Sequence, residues 1–360
     1  MHPPINWPTL HAEALDLFVR YLQVDTSNPP GNEAEAARFL AGILQAEGIP
    51  FEVIPILPGR DALVARLEGD GSKRPLMLCN HTDVVPVEQA QWTMPAFEGI
   101  VRDGRVYGRG AVDMKGCGVM QLLAFVLFKR LGIPLKRDLV FLAVPDEEAG
   151  SVYGMEWLCE HRPDVVDVEF ELSEGGGGLT QWSGQPIRLF NIATNEKDIC
   201  WMRLTAVGTP GHGSRPHEDN SAVRLARALV RLSEWQRGLT FTPETTAFLE
   251  RMVAAGRFPS LDQADLVEAT ILAQPELHAM FVNTLNVTMI DSGIRPNVIP
   301  AKSEAVIDCR LLPGQLRDHW RDQVIAAIDD PRVSVDYYLP PQDQPEAVPW
   351  DTELFQVIQS

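Results

Sequence analysis

"LVFLAVPDEEAGS", residues 139–151, is the stretch from which the fold unfolds. Leu139 to Val144 make an uninterrupted apolar run that meets Pro145 and then three carboxylates, Asp146, Glu147 and Glu148. The run has the length and the bounding residues of a buried strand. The carboxylates stand where that strand leaves its sheet. Like charges so placed repel one another, and each loses hydration on burial, so the arrangement calls for a cation.

Neighbouring stretches repeat the pattern. "PLMLCNHTDVVPV" (75–87) is a buried strand ending in polar residues, and "VDVEFELSEGGGG" (166–178) is a strand ending in an acid. "FEVIPI" and "ALVARLEG" also read as strands. Leu10, Ala14, Leu15, Leu17, Phe18 and Leu22 fall at helical spacing, a second amphipathic helix ends near Gly48, and a long apolar helix covers 116–131. Strands alternating with helices predict an α/β domain with a mainly parallel sheet.

From about Asp198 the texture changes. Strand, helix, strand, strand, helix, strand is the order of a split βαβ unit, an α+β domain. The expected division is 1–196 for the first part of the α/β domain, 197–340 for the α+β domain, and 341–360 for the start of a return to the first. Residues 238–280 read as a mostly helical insertion.

The bulk numbers narrow the function. A chain of 360 residues is long for one core and suggests two domains. A net charge of −18 argues against nucleic acid and anionic membrane surfaces as partners. The five cysteines are scattered, with no CxxC pair, so neither a disulfide framework nor a thiolate zinc site is expected. The opening "MHPPINWPTLHAEALDLF" lacks a basic start and apolar core, and no apolar run is long enough to span a bilayer. A soluble cytoplasmic protein is expected.

The chemistry gathers at strand ends. "NHTDVVP" offers His81 and Asp83, "YGRGAVDMKG" offers Asp113, "PDEE" offers Glu147 and Glu148, and "LSEGGGG" offers Glu174. Loops after the strands of an open α/β sheet converge on one crevice. One histidine with several carboxylates suits zinc, manganese or cobalt, zinc first for a mixed nitrogen and oxygen set. His81 and Asp83, two apart, point the same way on extended backbone, so Asp83 can fix the imidazole from behind. Glu147 and Glu148 are adjacent and diverge: one can bind metal while the other faces substrate as a base. Singly, each motif has a plainer reading as a loop histidine, a helix cap or a turn. Their joint occurrence at successive strand ends carries the inference.

"NHTDVVP", "FEGIVRDGRVYGRGAVDMKG", "PDEEAGS", "SEGG", "GTPGHGSRPHEDNSA" and "RPNVIPAKSEAVIDCR", taken in order, resemble the M20 family of metallopeptidases and amidohydrolases. The resemblance implies a zinc-peptidase-like catalytic domain with an inserted α+β lid and dimerisation domain. It implies two zinc ions per site (cobalt or manganese being possible substitutes), with Asp113 bridging, His81 and Glu174 on the first metal and Glu148 on the second. Glu147 becomes the general base for a metal-bridged water, and Asp83 orients His81. His212 is expected to reach a partner subunit's site in a homodimer and polarise the scissile carbonyl, while Asn297 and Arg310 hold the substrate's carboxylate. The implied substrate is a small peptide or an N-acyl amino acid, cleaved by a carboxypeptidase or an N-acyl-amino-acid amidohydrolase.

One departure stands out. The resemblance expects a further histidine ligand near the C-terminus, but the last histidine is His319, inside an expected helix, and the chain stops at "DTELFQVIQS". The expectation is an incomplete version of a longer protein. Two alternatives stay open: a catalytically impaired metal-binding or dimerising homologue, and a hydrolase of non-peptide C–N bonds such as carbamoyl groups.

Overall fold

The computed structural model describes residues 4–182, 185–339 and 348–360. The chain packs as two units, Met1–Gly175 and Gly176–Ser360. The boundary expected at 196–197 falls within the second unit, and the stretch 340–347 lies outside the described residues.

The first unit contains helices α1 (Trp7–Leu22), α2 (Glu33–Ala46) and α3 (Lys115–Leu131) and a five-stranded sheet. Its strands are β1 (Phe51–Leu57), β2 (Arg60–Leu67), β3 (Leu76–His81), β4 (Leu139–Val144) and β5 (Phe170–Leu172), in the order β1-β2-β4-β3-β5. Residues 139–144 form a strand buried along its whole length. Leu139, Phe141 and Ala143 join the core beneath α1, α2 and α3, while Val140, Leu142 and Val144 join a second core with Met77, Cys79 and Leu158. Burial on both faces is what an apolar run without alternation encodes.

The sheet is mixed. β3 pairs in parallel with β4 and with β5, but β1 with β2 and β2 with β4 are antiparallel. The cause is local: Leu57 pairs with Arg60 across Pro58 and Gly59, whose φ of +84° suits glycine, and so tight a turn permits only an antiparallel partner. The parallel part, β4-β3-β5, is the part that positions the site.

The second unit is built on antiparallel strands β6 (Met202–Val207), β7 (Thr284–Ser292), β8 (Lys302–Leu311) and β9 (Val333–Tyr337). β6 lies between β8 and β9, and β7 takes the opposite edge of β8. Helices α4 (Ser221–Glu234) and α6 (Arg317–Ile328) cover one face, burying Leu225, Leu232, Trp320 and Val324. The insertion is helical, beginning with α5 (Pro243–Ala254), and has its own core around Leu249, Ile271 and Phe281. Helix α7 (Glu353–Gln359) packs in this unit too, with Arg251 of α5 over Phe355 and bonded to Gln359.

Candidate metal centre

Three adjacent parallel strands end together. Register places His81, the last residue of β3, beside Val144, the last of β4, and Leu78 beside Leu172 at the end of β5. The loops that follow carry Asp83, then Glu147 and Glu148, then Glu174.

His81 is buried, with Nε2 2.9 Å from Asp113 Oδ1 and 3.7 Å from Glu174 Oε1. One ligand atom from each of His81, Asp113 and Glu174 lies within 4.8 Å of the others. Ligand atoms sharing one zinc at about 2.0–2.2 Å stand at most ~4.4 Å apart, so small side-chain adjustments suffice. Nitrogen and carboxylate donors are also the right chemistry, and the site fits a zinc-class ion.

The electrostatics agree. Burial opposes a charge on His81, but bonds to Asp83 and Asp113 and the negative charges of Asp83 and Glu174 outweigh it, raising its pKa to about 9. Burial and the charge of Asp113 raise the Glu148 carboxyl. Burial raises Glu174 as well; His81 opposes this, while Asp113 and Glu147 add to it. A field that favours a proton on His81 and disfavours ionised neighbours is relieved by a bound cation.

Asp83 acts differently from the simple expectation of a carboxylate behind the imidazole. Its backbone carbonyl meets His81 Nδ1 at 2.9 Å, while its carboxylate is 3.6 Å from that nitrogen. The carboxylate accepts the amide N–H groups of Glu147 (3.1 Å) and Glu148 (3.0 Å) and the side-chain amide of Asn28 (2.9 Å). Burial works against its ionisation, but the nearby His81 imidazole and the bonds from Asn28 and Glu148 hold its pKa below the usual range.

The loop carrying Asp113 is fixed at its base. The His81 amide donates to Met114 Sδ at 3.2 Å, and the buried Lys115 donates to the Val24 carbonyl at 2.6 Å. A Cβ on Gly116 would come within 2.5 Å of the Ala111 carbonyl oxygen, so the tight loop needs glycine there.

His212, Asn297 and Arg310 belong to the second unit. His212 pairs with Val298 in a short antiparallel ladder, and the Gly213 amide donates to the Asn297 carbonyl at 2.8 Å, so His212 and Asn297 are neighbours. His212 is exposed, with Nδ1 2.8 Å from Ser214 Oγ. Arg310, on β8, makes a two-pronged bond to Asp308 (2.9 and 3.3 Å). No motif marks Asn28 or Arg60, although both touch Asp146 at the turn that carries the glutamates.

Residues 77–360 match the sequence profile of peptidase family M20/M25/M40. Pig (Sus scrofa) aminoacylase-1 is 31% identical over 302 residues, covering 83% of this chain and 66% of that protein, so the chain spans just under two thirds of the length of this curated relative. Among solved structures, the M20 family metallo-carboxypeptidase Sso-CP2 of Sulfolobus solfataricus superposes with a TM-score of 0.67 at 19% identity, over 96% of this chain and 82% of that one. The YxeP protein of Bacillus subtilis, a dinuclear metal binding peptidase, gives a TM-score of 0.54 at 13% identity over 92% of this chain and 75% of its own. These two likenesses establish the fold.

Proposed function

The chain belongs to peptidase family M20/M25/M40, and we propose that it is a metal-dependent hydrolase of amide bonds in small peptides or N-acyl amino acids that carry a free carboxylate. The observation that carries the proposal is the convergence of His81 and Glu174, at the ends of parallel strands, with Asp113 from the loop before α3, beside a turn bearing two more glutamates. We read the metal as zinc, two per site, held by His81, Asp113 and Glu174 with Glu148 on the second ion.

When bound, the metal supplies Lewis acidity that polarises the amide carbonyl and lowers the pKa of a water. Glu147 would serve as the base, taking a proton from the attacking water at its carboxylate and delivering it to the leaving nitrogen. Asp83 holds the Glu147 and Glu148 amides, which fixes the base relative to the ligands. Asn297 and Arg310 bind the substrate's carboxylate, with Asp308 occupying the guanidinium until it arrives. Aminoacylase-1 among the relatives favours N-acyl amino acids as the first substrates to try.

We further propose a homodimer formed through the second unit, in which His212 serves the partner's site as an oxyanion donor. The outer edge of β7 supports this, because Val287, Met289 and Ile290 are exposed along it. Among the described residues no helix is long and apolar enough to cross a membrane, and all five cysteines are free. We place the protein in the cytoplasm, where thiols stay reduced.

The test is zinc content per chain, followed by turnover of a panel of N-acyl amino acids and dipeptides. Zinc at one to two ions per chain with turnover of a carboxylate-bearing amide is expected. A chain that takes up zinc but cleaves no amide would remove the hydrolase reading.

A further inference from the structure

Asp146 has a φ of +70°, a left-handed conformation that costs energy in any residue except glycine and is tolerated best by Asn and Asp. It opens the turn carrying Glu147 and Glu148, so something must hold it there. Its carboxylate, almost wholly buried, accepts the Tyr153 amide at 2.8 Å, the Asn28 side-chain amide at 3.1 Å and one arm of the Arg60 guanidinium.

We propose that Arg60 is a positioning residue for the Glu147–Glu148 turn, acting through Asp146 and Asn28. This rests on the hydrolase reading for its consequence, but not for its geometry. The second arm of Arg60 donates to Asn28 Oδ1 at 2.8 Å and to the Pro30 carbonyl at 3.0 Å. Claiming Oδ1 fixes which way the Asn28 amide faces. Its NH2 group is then turned to Asp146 Oδ1 and Asp83 Oδ2 at once. A flipped amide would set an oxygen against two carboxylates. Asp83 in turn takes one amide N–H on each carboxylate oxygen, from Glu147 and from Glu148. The chain of contacts therefore runs from one guanidinium to the backbone of both glutamates.

The surroundings are shaped to this side chain. Gly31, at a φ of +88° that suits glycine, lets the loop after Asn28 close over the Arg60 guanidinium, and a Cβ there would lie 2.8 Å from it and push it aside. The guanidinium also sits 5.9 Å from the centre of the Tyr153 ring, at the far end of the loop that Asp146 begins. Glu33, fully buried, has Arg60 at 3.6 Å. One cation thus faces two buried carboxylates and fixes the amide that bridges to a third. Lysine, a single point charge, cannot make the two-armed contact.

The experiment compares Arg60→Ala and Arg60→Lys with Arg66→Ala, a change on the same strand as Arg60 that removes an ion pair to Asp138. Hydrogen exchange of the Glu147, Glu148 and Tyr153 amides is read beside kcat and KM. Expected for Arg60→Ala are exchange at least about 10-fold faster at these amides only, kcat reduced about 10–100-fold, and KM within about twofold. Arg60→Lys should fall between, and Arg66→Ala should match the wild type. A folded Arg60→Ala with unaltered turn exchange and kcat overturns the proposal. Exchange that accelerates equally throughout the first unit also overturns it, in favour of a general structural role. Should Arg60→Ala fail to fold, wild-type behaviour of Arg60→Lys overturns it. If the wild type cleaves no amide of the panel, the hydrolase reading fails and the exchange pattern alone decides the positioning role.

Discussion

His81 and Asp83 are joined through backbone rather than through their two side chains: imidazole Nδ1 meets the Asp83 carbonyl oxygen at 2.9 Å, with the carboxylate 3.6 Å away. Neutral His81 must donate from Nδ1 to that carbonyl, which leaves the Nε2 lone pair facing Asp113 and Glu174, as a metal ligand requires. The carboxylate is released to hold the neighbouring turn. One residue thus orients the His81 imidazole with its main chain and the Glu147–Glu148 turn with its side chain.

Asp83→Asn separates the two tasks. The carbonyl that orients His81 stays, but an NH2 group now faces one of the amide N–H donors of Glu147 and Glu148. Leaving buried donors unpaired costs about 1–3 kcal/mol. Urea unfolding should register that loss, with kcat lower by about 10–100-fold and zinc still bound. Full stability with lowered zinc affinity would instead place the role of Asp83 on the imidazole.

Glu147→Gln keeps the turn and removes the base. The expected kcat is lower by about 10²–10⁴-fold, the range for losing a general base. Zinc per chain should be unchanged, since Glu147 is assigned no metal. Elemental analysis and steady-state kinetics on one preparation check both, and undiminished turnover would move the base elsewhere.

Zinc should stabilise the fold as well as activate it. An ion at about 100 times its Kd adds ~2.7 kcal/mol to the first unit if it binds only the folded chain. Thermal melts with zinc and with a chelator should differ accordingly. His81→Ala should remove the difference, because His81 is the nitrogen donor of the cluster. An equal zinc shift in that variant would mean that the ion binds somewhere else.

The strand at 139–144 was legible because its environment is uniform: both faces are covered, so the sequence needs no alternation. His81, Glu147, Glu148 and Glu174 stood out as candidates because they lie at or just after the ends of three adjacent parallel strands, whereas Asp113, in the loop before α3, depended on its motif. The antiparallel β1–β2 edge was hidden behind a prior for parallel pairing, although Pro58 and Gly59 held the turn that decides it. Arg60 was not legible at all. Its partners Asn28 and Asp146 lie 32 and 86 residues away in the chain, and a lone arginine beside a hairpin turn has no motif.

Glu33 gives the stability a pH dependence with a definite sign. Burial raises its carboxyl from 4.5 to about 6, although its own backbone amide and Arg60 work against the shift. The folded chain therefore holds the proton more tightly than the unfolded chain. The associated stability is fully present below 4.5 and is lost as pH rises through 6, a change of about 2 kcal/mol. Glu33→Gln should match the wild type near pH 4 and exceed it by up to that amount at pH 7.5, with Arg60 still paired to Asp146. Urea midpoints at the two pH values decide it; an equal difference at both would show that Glu33 does not titrate in this range.

The proposed dimer makes a quantitative prediction about mixing. If His212 serves the partner's site, His212→Ala and Glu147→Gln are each inactive alone. Random exchange makes half of the dimers mixed, and in each of these one site has both an intact Glu147 and an intact His212. Recovery to about a quarter of wild-type activity is expected from an equal mixture of a two-fold dimer. Ile290 and Met289, 63% and 58% exposed on the edge of β7, offer the control. Ile290→Lys places a charge on that edge, which should hold the protein as a monomer by light scattering and abolish the recovery. Recovery that survives in the Ile290→Lys background would mean that the subunits meet through another surface; no recovery in the original mixture would confine His212 to its own chain or remove it from the reaction.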